Sequence, residues 1–86
     1  MHELSVALEI CRLAEERLGP ATGRLVALGV TVGDEAGIEP HNLEFCLETL
    51  LAEPPFQGVT AHIQREPGAA LHLGYLEVID DDSSND

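Results

Sequence analysis

The chain has 86 residues, enough for one small domain, and 44% of them are hydrophobic, which argues for a folded globule. Sixteen acids against four Lys plus Arg give a formal charge of −12, which excludes a nucleic-acid binder, because phosphate contacts need clustered cations. The same balance suits basic partners or cationic ligands.

Residues 3–18 predict a helix. At about 100 degrees per residue, Ser5, Glu9, Arg12 and Glu16 fall on one narrow face. Val6, Ala7, Ile10, Cys11, Leu13, Ala14 and Leu18 occupy the rest, an arc wide enough to meet both a sheet and a second helix. Gly19-Pro20 ends it. Arg24 to Val32 is rich in strand formers on both faces, the pattern of a central strand. Gly33 to Gly37 forms a loop. A second helix starts near Pro40, a residue suited to the first helical position. It carries Leu43, Cys46, Leu47, Leu50 and Leu51 inward with Phe45 beside them, and Pro54-Pro55 closes the segment.

Val59 to Glu66 alternates, with Val59, Ala61 and Ile63 on one face. Pro67 to Ala70 reads as a tight turn, and Leu71 to Ile79 as the last strand. A tight turn predicts an antiparallel hairpin. Pairing Glu66 with Leu71 then sets Ile63 against Gly74, Ala61 against Leu76 and Val59 against Val78. Arg65 falls opposite His72, and His62 opposite Tyr75. The expected fold is α/β (α+β): two helices on one face of a small three-stranded mixed sheet, in the order helix-strand-helix-strand-strand. On this register Leu71, Leu73 and Tyr75 form an exposed apolar face suited to a partner or to self-association. A slip of one residue would exchange the faces. Residues 1–79 make up the domain. Asp80 to Asp86 has no apolar residue and predicts a separate, solubilising acidic tail.

No apolar run reaches membrane-spanning length, and the start lacks the basic and apolar regions of a signal peptide, which predicts a cytoplasmic protein. Cys11 and Cys46 each sit among apolar residues of a helix, as small buried hydrophobes in a reducing compartment. No CxxC occurs, so no thiolate zinc site is expected. Catalytic arrangements are lacking. Ser83 and Ser84 fall in the tail, Gly29, Gly33 and Gly37 do not match a phosphate loop, and Glu35 and Glu39 flank a loop without an evident pocket. The chain reads as non-enzymatic.

Met1-His2-Glu3 is the segment with most chemistry. A free amine followed by His2 is a chelator: the amine and the His2 backbone nitrogen close a five-membered ring, and His2 Nδ1 closes a six-membered one. The Glu3 backbone nitrogen completes four nitrogens in a plane, a set that suits Ni(II) or Cu(II) over tetrahedral Zn(II). The bulky second residue favours retention of Met1. The alternative is a frayed, idle terminus with Glu3 serving as a first-turn acid. His41 reads as surface. His62 and His72 lie on neighbouring strands but are not a cross-strand pair, so they make no joint site.

Met1-His2-Glu3-Leu4-Ser5 opening into an amphipathic helix resembles the start of the HypA/HybF nickel metallochaperones. So does Gly33-Asp34-Glu35-Ala36-Gly37-Ile38-Glu39-Pro40 followed by Leu43, Phe45 and Glu48. Leu71-His72-Leu73-Gly74-Tyr75-Leu76-Glu77-Val78 is similar to that family's closing strand. The resemblance spans residues 1 to about 79. It implies a nickel-binding domain in which Met1, His2 and Glu3 hold Ni(II) for a [NiFe]-hydrogenase large subunit, sometimes urease, with a nickel-handling maturation GTPase as partner. Glu39 matches an acidic position tied to delivery or partner contact. One departure is large: the family carries a zinc domain with paired CxxC motifs between its last two strands, where this chain has only Pro67-Gly68-Ala69-Ala70. The alternative the departure raises is a hydrogenase-associated assembly or interaction subunit that kept the fold without nickel delivery.

Overall fold

The structure, a computed structural model, describes residues 3–19 and 24–79. The elements follow the predicted order: α1 (Glu3–Leu18), β1 (Arg24–Gly33), α2 (Pro40–Leu51), β2 (Thr60–Glu66) and β3 (Leu71–Ile79). Both helices lie on one face of a mixed sheet. Leu28 and Val30 of β1 meet Leu43 and Leu47 of α2 and Ile10 of α1 in one apolar core. Ala7 and Ala14, both wholly buried, let α1 come close to that core. Fully burying a Leu such as Leu28, Leu43 or Leu47 contributes about 1.5–3 kcal/mol each. Among the described residues no helix is long and apolar enough to cross a membrane. The acidic segment 80–86 lies outside the described residues.

The expected hairpin does not form. The strand order is β2-β1-β3, with β1 parallel to β2 and antiparallel to β3. β1 is therefore the central strand its apolar run predicts, and Pro67–Ala70 crosses over its end instead of turning back beside β2. Backbone hydrogen bonds hold this crossing. Gly33 N donates to Ala70 O at 2.6 Å, Asp34 N to Glu66 O at 2.8 Å and Glu35 N to Gly68 O at 2.7 Å. A strand spacing of about 4.8 Å puts β2 and β3 about 10 Å apart, within the reach of four linking residues at about 3.3 Å each.

The exposed apolar face is also corrected. Leu71 pairs with Val32 and Leu73 with Val30, and both leucines turn toward the helices; Leu73 is only 2% exposed. The pairing then slips at Gly74, so Tyr75 aligns with Gly29 and Leu76 with Leu28. A bulge of one residue reverses which side chains face the core. Tyr75 is thereby parted from Leu71 and Leu73 and lies exposed on the sheet's open face. The pairs proposed across the hairpin are replaced by pairs to β1: His62 with Gly29, Arg65 with Val32, and His72 with Thr31. Ala61 and Ile63 do face the helices, as the alternation predicts. On α2, Phe45 is not beside the inward residues but 67% exposed.

The open face is small and polar. It carries Ala27, Gly29 and Thr31 in the middle, His62 and Gln64 on one side, and His72, Tyr75 and Glu77 on the other. Ala27 and Gly29 are buried there by neighbouring side chains, without a second layer.

Candidate functional site

Both helices begin at the same end of the molecule, and Glu3 joins them. Glu39 caps α2: its backbone is extended, Pro40 follows at the first helical position, and its Oε1 accepts from Asn42 N at 2.8 Å. This is the usual way to satisfy one of the orphan donors of a helix start. The Glu3 carboxylate takes two more donors. Glu39 N donates to Glu3 Oε2 at 3.0 Å, and Asn42 Nδ2 donates to Glu3 Oε1 at 3.0 Å. An anion at a helix N-terminus is also favoured by the helix dipole.

These bonds hold the Glu3 carboxyl below the usual glutamate range; the Glu39 backbone N–H contributes most, ahead of Glu3's own N–H and the Asn42 side chain. Each carboxylate oxygen still has acceptor capacity after one bond. The Glu3 backbone N–H lies in the first turn of α1, where no intrahelical acceptor is available. It can be given up to a metal without breaking a helical hydrogen bond, with the loss only of its contact to Glu3's own carboxylate.

Of the three predicted metal residues, Glu3 is placed by the structure, while Met1 and His2 lie outside the described residues. Glu39 stands at the same end, and His41 is exposed in the first turn of α2. Asn42 joins the site only in the structure: Pro40 marks the helix start, but no sequence signal points to the Asn42 side chain as a partner of Glu3. Among the described residues no group of three or more His, Cys, Asp or Glu is placed to hold a metal ion. His62 and His72 are separated by the whole of β1. Leu71, Leu73 and Tyr75 lie on β3 and take no part in these bonds, the leucines turned inward and Tyr75 outward.

Cys11 is buried on α1, and burial, with Glu15 nearby, pushes its thiol up. Cys46 is half-buried on α2. Both are free, and neither belongs to a thiolate cluster.

Comparison with known proteins agrees on one family. The family described as "Hydrogenase/urease nickel incorporation, metallochaperone, hypA" matches residues 1–71. A hydrogenase maturation factor HypA from Geobacter metallireducens is 31% identical over 68 residues, covering 79% of this chain and 60% of its own. Its counterpart from Azotobacter vinelandii is 36% identical over 75 residues, covering 86% and 66%. The chain thus spans less than two thirds of the length of these relatives. The solution structure of the Ni metallochaperone HypA from Helicobacter pylori superposes with a TM-score of 0.78 at 16% identity, over 94% of this chain and 100% of that one. At that identity the likeness establishes the fold: two helices on a three-stranded mixed sheet.

Proposed function

We propose, from the premise that this chain belongs to the HypA hydrogenase/urease nickel-incorporation family, that its amino terminus carries Ni(II) as cargo for hydrogenase maturation. The donors are the Met1 amine, the His2 backbone nitrogen and Nδ1, and the Glu3 backbone nitrogen, a planar set suited to Ni(II). The observation that carries this reading is the anchoring of Glu3. Its carboxylate is tied to Glu39 N and Asn42 Nδ2, so the first turn of α1 is fixed while its backbone N–H stays without an intrahelical acceptor. Glu3, the described residue of the set, is therefore fixed in place, which lowers the ordering cost of chelation. The family match includes residues 1–3, which supports the same assignment.

On this reading the protein is not an enzyme. Ni(II) leaves by ligand exchange within a complex, to a hydrogenase large subunit or a nickel-handling GTPase. Glu39, beside the clamp, is the acidic residue best placed to meet that partner. No zinc takes part, since the chain has two cysteines on different helices and no CxxC.

The test is a Ni(II) titration of untagged protein, followed by the d–d absorption of planar Ni(II). The band is expected in the wild type, and expected to be lost in His2→Ala and in a chain extended by two residues before Met1. It should also fade in acid, because protons compete for the amine and the imidazole. An equal band in all three proteins would sink the reading. A second reading, an assembly subunit that kept the fold without nickel delivery, is favoured by the missing CxxC motifs. It predicts no band in any of the three, with partner binding retained.

A further inference from the structure

β3 is an edge strand, and its outer side is nearly bare. Leu73 O accepts from Arg17 Nη1 at 3.1 Å, so this carbonyl points away from β1. In an extended strand the N–H and C=O of one residue point to the same edge, and alternate residues repeat that direction. Leu71 therefore offers both backbone groups outward, and Leu73 offers its N–H beside a carbonyl that already accepts from Arg17. Among the described residues no strand takes them up, since β3 has β1 alone as a neighbour.

Beside this edge, on the helix side, α1 overhangs the sheet. Val6, Ile10 and Leu13 of α1 and Leu71 and Leu73 of β3 line a groove of about 340 Å³. Ser5, Glu9 and His72 complete its lining. The groove lies where the inward side chains of a fourth strand would fall. An unpaired edge and an apolar slot beside it are the two parts of strand addition: backbone bonds supply affinity, and alternate side chains fill pockets.

Charge selects the occupant. The chain carries −12 and only four Lys plus Arg. Arg12 is held by Glu9 at 2.6 Å and Glu16 at 3.6 Å on the α1 surface, and Arg17 is engaged by Leu73 O. A second copy would carry the same net charge of −12. We propose that the outer edge of β3 and the adjoining groove receive an extended segment of a partner protein, alternating apolar and basic, as a fourth strand. Its apolar side chains enter the groove under α1, and its cations, which alternation puts on the sheet's open face, meet a chain of net charge −12 that carries Glu77 on that face of β3. The proposal does not depend on nickel, and its test is run without metal.

The probe is a capped seven-residue peptide alternating Lys and Val, added to the full-length ¹⁵N-labelled chain. At saturation, amide exchange at Leu71 and Leu73 should slow at least tenfold, with shift changes at Val6, Ile10 and Leu13. A Glu-Val peptide should not bind. A Lys-Val peptide N-methylated at two consecutive central residues should bind at least tenfold more weakly, because a donor is lost from each edge. Ser5→Phe, a change at an exposed position, should plug the groove and weaken binding at least tenfold. If that variant misfolds, the N-methylated peptide still decides on wild-type protein. Equal binding of the N-methylated peptide, or binding without protection at Leu71 and Leu73, overturns the proposal. Protection that grows with protein concentration alone overturns it too, in favour of a second copy.

Discussion

Gly29 and Gly33 stand on the same strand and are both glycine for want of room, but the obstacles differ in kind. A Cβ at Gly29 would enter the ring of Tyr75, which lies across it on the open face. A Cβ at Gly33 would enter the backbone of the crossing segment, against Gly68 O and within 2.7 Å of Ala70 N. A ring can swing away, whereas the crossing is fixed by three backbone hydrogen bonds. Gly33→Ala should therefore cost about 3 kcal/mol, the upper range for overpacking, and Gly29→Ala about 1 kcal/mol. Urea unfolding of the two variants checks the order. Adding Tyr75→Ala should relieve most of the Gly29→Ala cost and none of the Gly33→Ala cost. Equal costs, or rescue of both, would refute the distinction. Neither obstacle is legible in the sequence, which shows two glycines in a strand and gives no sign of the segments, more than thirty residues away, that fill the space above them.

Among the elements, α1 and α2 are joined by a clamp that titrates. The Glu3 carboxyl is held below its ordinary range chiefly by Glu39 N–H, so the folded state favours the carboxylate more than the unfolded chain does. The resulting stabilisation is fully present above the unfolded value of about 4.3 and is lost as pH falls through the lowered folded value. Glu3→Gln should melt below the wild type at pH 7. The gap should narrow below about pH 4.3 and close in stronger acid. Glu9, also lowered by Arg12, is common to both proteins and cancels in the difference. A gap that does not change with pH, measured by thermal unfolding from pH 7 downward, would show that the clamp carries no ionic contribution. The helices and strands themselves were readable within about a residue, because periodicity and Pro or Gly stops act locally. The clamp was not, since its bonds join residues 36 and 39 apart. The bulge at Gly74 was equally hidden. Strict alternation put Leu71, Leu73 and Tyr75 on one face, and one unpaired residue parted them.

At the scale of the whole molecule, the crossing Pro67–Ala70 decides how this sheet closes. Four residues between two strands look like a hairpin turn in any sequence. Here they pass over the end of a third strand, and only the pairing of β1 with both neighbours reveals it. The crossing lies at the rim of the sheet, with Pro67 and Ala69 exposed and the core beneath the helices untouched. Its length is therefore free in a way that a core connection is not. Lengthening a flexible loop from four to fourteen residues adds only about 1 kcal/mol of closure entropy. The bonds from Gly33 N and Glu35 N would be weakened, adding about 1 kcal/mol each if lost. Inserting ten Gly and Ser residues between Gly68 and Ala69 should thus cost about 1–3 kcal/mol. The amide spectrum of β1, α1 and α2 should stay close to the wild type. Collapse of that spectrum would mean that the short crossing is needed to align β3 with β1. Persistence would mean that one scaffold accepts either a brief crossing or a long insert at this rim.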